Sequence, residues 1–364
     1  MKKYNFFTLF TVLLCLLFVL SGCRDSEPVK LVKSELSQIQ KLDEHTIQTF
    51  ISYKNMIPSG SDSQTDSDAA EAIQLFFQNF DYRILSSSIT EENATVNVEI
   101  ENIDAKALAK DLCLELIARS TSPNPEDSPL STTGSYFSLL YDILSSGTYE
   151  SVKTTAHFHL TETDDVWHIQ SDESLENEIV GGFISYLRNP YLVTPEEITA
   201  KVFEMMQKQT AEDWVFYLGM NDIFSTYSTL AKKVDLALAS QISKCFSYKI
   251  QKVTEKNKKA TAVIDITSLD MNHVLEVYMD KLLDYASTTE AVRATDTELA
   301  DKTAALLAEC LNSNTKTCTK TIEIDFVNNG TAWEMNLNSD FTDALLGNMA
   351  DAVKTFQSQA VPTS

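Results

Sequence analysis

Apolar and polar residues alternate with period two from Ala94 to Ile103, where Ala94, Val96, Val98 and Ile100 are separated by polar side chains. That is the signature of a strand with one buried face, and the spacing predicts strands over 81–90 and 94–103 joined by a turn at Glu91-Glu92-Asn93. Ahead of this hairpin, Leu36, Ile39 and Leu42, and then Ala70, Ile73, Phe76 and Phe77, recur at helical spacing. After it, Asp104 occupies an N-cap position, where a carboxylate accepts from the free backbone N–H groups of the next turn and complements the helix dipole. Leu108, Leu112 and Leu116 then form one stripe. A polar loop over 120–129 with three prolines precedes a helix through Tyr136, Leu139, Leu140 and Ile143, a second hairpin and a closing helix over 175–186. The predicted order is α-α-β-β-α-α-β-β-α.

The same order is written a second time at a constant offset of 246 − 80 = 166 residues. Phe80-Asp81-Tyr82-Arg83-Ile84 becomes Phe246-Ser247-Tyr248-Lys249-Ile250, and the shift carries Ala94-Thr95 to Ala260-Thr261, Asp104 to Asp270, Trp167 to Trp333 and Gly181 to Gly347. The chain therefore reads as a tandem duplication. Thr194-Pro195-Glu196-Glu197 opens the second copy with an N-cap, a proline at the first helical position and a glutamate at the third. The expected organisation is a leader over 1–22, a tether over 23–33, repeats over 34–189 and 190–354, and a tail over 355–364.

The leader has Lys2 and Lys3 ahead of an apolar run from Phe6 to Leu20, too short to span a bilayer comfortably. It ends in Leu20-Ser21-Gly22-Cys23, which resembles the lipobox of bacterial lipoproteins. That resemblance implies cleavage before Cys23, diacylation of Cys23, and an extracytoplasmic protein held in the cell membrane by its lipid. Two acyl chains give stable anchoring where one holds weakly.

Removing two lysines with the leader leaves 27 − 52 = −25 as the formal charge of the mature chain. Nucleic acid is not expected as a partner, because binding a polyanion needs clustered Lys and Arg, and the dense basic run Lys252 to Lys259 falls in a predicted hairpin turn. Such acidity also repels anionic head groups, so the body is expected to stand off the membrane.

Strands grouped as hairpins between helices predict an α+β fold, each repeat an antiparallel sheet packed on helices. The pattern resembles nuclear transport factor 2-like, cystatin-type domains, and more narrowly those found in lipoproteins of Gram-positive bacteria, often clostridial. The lipobox carries the likeness, with Tyr82 to Asp104 and Tyr248 to Asp270, and the closing hairpin and acidic helix at Trp167 to Glu178 and Trp333 to Asp343. The resemblance brings no catalytic residue with it. Folds of this type often keep an apolar pocket between sheet and helix.

Asn329-Gly330 favours a two-residue turn with both central residues at positive φ. On that turn, partners sum to 329 + 330 = 659, so Phe326 faces Trp333, Ile324 faces Met335 and Asp325 faces Glu334. Carried back by the offset, Leu160 faces Trp167, Phe158 faces Ile169, and His159 faces His168, with His157 two residues along. Directly opposed side chains start roughly 5 Å apart at Cβ. His157, His159 and His168 are thus a candidate site for a divalent metal, with Asp165 as a further donor. A solvent-facing strand also tolerates histidine, and the second copy carries Glu323, Asp325 and Glu334 there. Opposed Asp325 and Glu334 would attract a calcium ion or a partner's lysine.

Beyond Cys15 in the leader and Cys23, four cysteines remain. Cys113, Cys310 and Cys318 align with apolar Met279, Leu144 and Val152, which favours buried thiols. Cys310 and Cys318 flank a loop and are a candidate disulfide in an oxidising compartment. His45 and His273 lie in predicted helices without a visible partner, and nine glycines include no phosphate-cradling loop. The expected function is a non-enzymatic envelope lipoprotein that binds a small apolar ligand, a wall component or a protein. The alternatives are a metal-dependent binding protein or enzyme using the histidines, and a structural spacer.

Overall fold

The computed structural model describes residues 25–57, 67–121, 133–219 and 229–360. Among them are fifteen α-helices, one 3-10 turn and eight strands, the strands forming two separate four-stranded antiparallel sheets. The chain is an α+β protein of two sheet-on-helix domains. By contacts it divides into one unit of Met1–Leu108 with Tyr136–Ser185, and another of Ala109–Ser135 with Tyr186–Ser364.

In the first unit, α1 (Glu27–Gln40), α2 (Glu44–Phe50), a 3-10 turn (Tyr53–Met56) and α3 (Ser67–Phe76) precede the sheet. Helix α1 starts inside the expected tether, because Pro28 suits the first turn and Val29 and Val32 are buried. It stops at Gln40, and Leu42, expected on its stripe, takes φ +61 in the link to α2. Strands β1 (Asp81–Ile89), β2 (Asn93–Ile103), β3 (Ser151–Thr163) and β4 (Val166–Ile169) pair in that order, with α4 (Ala105–Thr121) and α5 (Thr133–Ser146) between β2 and β3. Ala94, Val96, Val98 and Ile100 are buried as their alternation requires. They sit over a core that includes Phe76, Phe77, Phe137, Phe158 and Phe183, with Phe76 edge-on to both Phe77 and Phe183. Helix α6 (Glu173–Ile179) and the start of α7 (Phe183–Leu187) close the unit.

The second unit holds α8 (Pro195–Gln207), α9 (Ala211–Tyr217) and α10 (Thr229–Cys245), then β5 (Ser247–Lys256) and β6 (Lys259–Leu269). Helices α11 (Met271–Ala286), α12 (Thr289–Arg293) and α13 (Asp296–Ser313) follow, then β7 (Thr317–Asn328), β8 (Trp333–Asn336), α14 (Ser339–Leu345) and α15 (Met349–Ala360). The capping box predicted at Thr194 and Glu197 forms, and Asp104 and Asp270 both accept from N–H groups of the helices they open. Residues 109–121 of α4 belong with this unit rather than with the expected first repeat: Cys113, Leu114 and Ile117 pack on its core, and Lys201 pairs with Glu115 at 2.8 Å.

The two sheets match pair by pair. Asp81↔Glu101 becomes Ser247↔Thr267, Asn93↔Thr161 becomes Lys259↔Val327, and Leu160↔Ile169 becomes Phe326↔Met335, each shifted by 247 − 81 = 166. Even the bulge recurs, between Ile84 and Ser86 and between Ile250 and Lys252. Gly347 has φ +72, and a Cβ there would lie 2.1 Å from the Leu269 carbonyl oxygen, so the close approach after α14 admits only glycine.

The register of the closing hairpins departs from the expected one. Phe326 pairs with Met335 and Asn328 with Trp333, so partners sum to 328 + 333 = 661 and Asn329 to Ala332 form a four-residue loop. The cause is the Asn329 side chain: its Oδ1 accepts from the backbone of Thr331 and Ala332, at 2.8 and 3.0 Å, and holds the wider loop. A two-residue turn with both residues at positive φ occurs instead in the first unit, at Asp164 and Asp165, with φ +54 and +62. The slip preserves parity, so the expected core side is kept. Ile324, Phe326 and Trp333 are all buried.

Candidate functional site

On the outward face of the first sheet, the corrected register separates the histidines. His168 lies opposite Thr161, and His159 lies two residues beyond, so these rings are not directly opposed. Each exposed imidazole on β3 has its own partner. His159 Nδ1 is 3.2 Å from Thr95 Oγ1, across the β2–β3 ladder. His157 Nδ1 is 3.2 Å from Glu178 Oε1, and the His157 backbone N–H donates to Glu178 Oε2 at 2.7 Å. Strand β4 is too short to pair with β3 at that point, which leaves the His157 N–H to a carboxylate from α6. Asp165 is in the turn. Among the described residues, no group of three or more His, Cys, Asp or Glu is placed to hold a metal ion.

Further along the same face, Glu99 lies between Arg83 and Lys153, both at 3.1 Å. The Lys153 hydrogen bond, helped by Arg83, holds the Glu99 carboxyl below its usual range.

The second sheet's outward face is likewise tied internally. Asp325 lies opposite Asn336, not Glu334, and accepts from Thr261 at 2.8 Å. Glu334 accepts from Asn329 Nδ2 at 2.6 Å. Thr321 and Gln251 both donate to Asp265 and lower its pKa. These side chains brace the sheet. None converges on a shared point where a reacting atom would sit.

All four described cysteines are free thiols, and burial raises the pKa of each, that of Cys113 to about 11. Cys310 and Cys318 do not form the expected bridge. Cys318 turns its Sγ toward the Leu269 carbonyl at 3.3 Å, and Cys310 is buried at the end of α13. Cys23 lies outside the described residues. His273 Nδ1 lies 3.7 Å from Glu276, one turn along α11.

A concave feature that the sequence reading missed lies in the second unit, between α11 and α15. It is a cavity of about 250 Å³ lined by Asn272, Leu275, Glu276, Ala352, Thr355 and Phe356, among others. Phe356 stacks on Tyr278 with centroids 6.0 Å apart and planes at 16°, which fixes its inner wall. The signal was present. Ala352 and Phe356 are four apart on one helical stripe, but the expected tail began at 355, whereas α15 runs to Ala360. Ligand pockets typically run from ~300 Å³ upward, so this groove suits a single side chain or small fragment. Trp333 instead packs against Tyr191, at 6.1 Å and 79°.

No family model matches the chain, and no curated protein does. Among solved structures, one similar chain is YcdA, a candidate lipoprotein of Bacillus subtilis. It is 12% identical, with 73% of this chain and 95% of that one covered, at a TM-score of 0.27. So distant a likeness adds nothing to the reading of fold or function. No helix among the described residues is long and apolar enough to cross a membrane.

Proposed function

We propose that the protein is an extracytoplasmic lipoprotein, anchored through a diacylated Cys23, that binds a partner and catalyses no reaction. The observation that carries this reading is Leu20-Ser21-Gly22-Cys23 at the end of a short apolar leader behind Lys2 and Lys3. It is supported by the outward sheet faces, whose ionisable side chains brace neighbouring strands and helices. The groove between α11 and α15 is the place we assign to the partner, and its size favours a single side chain of a protein over a larger free ligand. The domain type we assign is nuclear transport factor 2-like, cystatin-type, of the kind carried by Gram-positive lipoproteins. Metabolic labelling with a fatty-acid analogue tests the address. Label should enter the wild-type protein and be absent from Cys23→Ser. Equal labelling of both proteins would remove the proposal.

A further inference from the structure

The tip of the β7–β8 hairpin joins a reactive dipeptide to groups that favour its reaction. Asn329 and Gly330 are both exposed, and a Cβ built on Gly330 would meet nothing within 4 Å. Glycine leaves its own nitrogen unhindered, so an Asn-Gly pair can close on itself when that nitrogen reaches the side-chain carbonyl carbon of the asparagine. Here that carbonyl is unusually well supplied with donors. Oδ1 of Asn329 accepts from Thr331 N at 2.8 Å, Ala332 N at 3.0 Å and Thr331 Oγ1 at 2.7 Å. Its Nδ2 donates to Glu334 Oε1 at 2.6 Å, while the Gly330 N–H donates to Asn328 Oδ1 at 2.9 Å.

Three donors on one carbonyl oxygen withdraw electrons from its carbon and stabilise the negative charge that the oxygen takes up when a nucleophile adds, as an oxyanion hole does. A carboxylate against the departing nitrogen can relay the proton that this nitrogen must gain. We propose that Asn329 is a site of self-modification through a cyclic imide. The Gly330 nitrogen forms a bond to Cγ of Asn329, the Cγ–Nδ2 bond breaks, and ammonia leaves carrying the proton that was on the Gly330 nitrogen. Water then adds to either imide carbonyl, opening the ring to aspartate or to isoaspartate. No electrons are exchanged, and water is the only co-reactant.

The product changes the hairpin. The Nδ2 donor is replaced by a carboxylate that faces Glu334, and like charges in close contact across a turn are destabilising. In the isoaspartate product the backbone is also one atom longer at the start of a loop that leads directly into buried Trp333. The modification therefore loosens the edge strand β8 as the protein ages.

The test is a prolonged incubation of the full chain at neutral pH and physiological temperature, with residue 329 followed by peptide mass spectrometry and by enzymatic isoaspartate assay. A synthetic peptide over 324–335 serves as the unstructured reference. Aspartate and isoaspartate should accumulate at 329 in the folded protein at least as fast as in the peptide. Glu334→Gln should slow the folded protein severalfold and leave its circular dichroism unchanged. An amide that persists in the folded protein while the peptide converts would overturn the proposal. A folded Glu334→Gln variant that converts at the wild-type rate would overturn the role of Glu334.

Discussion

One carboxylate, that of Glu178, holds His157 twice: Oε2 accepts the backbone N–H at 2.7 Å and Oε1 lies 3.2 Å from the ring Nδ1. Glu178 thus finishes the edge of β3 where β4 has already ended. Removing it frees a strand N–H as well as the ring, while removing the imidazole loses only the latter. Both side chains are partly exposed, so water replaces part of what is lost. Glu178→Ala is expected to cost about 1 kcal/mol and His157→Ala less than about half of that, by urea denaturation. Equal losses would show that the backbone contact contributes nothing.

Trp333 is 2% exposed and packs against Tyr191, whereas Trp167 at the matching position is only half-buried and pairs with Glu162. Trp333→Ala should therefore destabilise by roughly 3–5 kcal/mol. Trp167→Ala should cost clearly less in the same assay, and the reverse order would contradict the inward placement of the second indole.

Burial works against a charged Asp343, but Lys320 at 2.7 Å and the Ala350 N–H at 2.8 Å hold its pKa below the ordinary value of 3.8. A native pKa below the unfolded one means that the unfolded chain takes up the proton first. The stabilisation is therefore complete above the ordinary carboxylate range and lost as pH falls through the native value. Asp343→Asn should cost about 1–2 kcal/mol at neutral pH. The difference from wild type should shrink on acidification below roughly pH 4, as read from urea midpoints. A difference that does not change with pH would contradict the pairing.

Asn102 is 3% exposed on the core side of β2, and neither atom of its amide has a partner among the described residues. At the matching place in the second sheet, 268 − 102 = 166 residues on, Ser268 donates to the Leu345 carbonyl at 2.6 Å. A buried unpaired amide carries its full desolvation penalty. Asn102→Val should raise stability by about 1–2 kcal/mol in thermal or urea unfolding, and a loss of stability would show that the amide is bonded.

Much of this architecture was readable because it depends on local rules. The alternation from Ala94 to Ile100 needs only one buried face, and Asp104, Asp270 and Thr194 act on N–H groups within one turn of themselves. The hairpin register was not readable from Asn329-Gly330 alone. The choice between a two-residue and a four-residue loop rests on where the Asn329 carboxamide bonds, and the tight turn with two positive φ values was built from Asp164 and Asp165 without a glycine. Because the histidine cluster was deduced from that register, it dispersed with it. The groove escaped notice for a different reason. It exists only because α15 folds back on α11, a tertiary contact that no local pattern specifies.

The reading of this chain as a lipid-held protein turns on a single atom, the Sγ of Cys23, and intact mass spectrometry of the mature protein extracted from membranes addresses it directly. The mature chain is expected to begin at Cys23, with a mass that exceeds that of the polypeptide by a diacylglyceryl group. A mature chain beginning elsewhere, or an unmodified cysteine at its start, would contradict it.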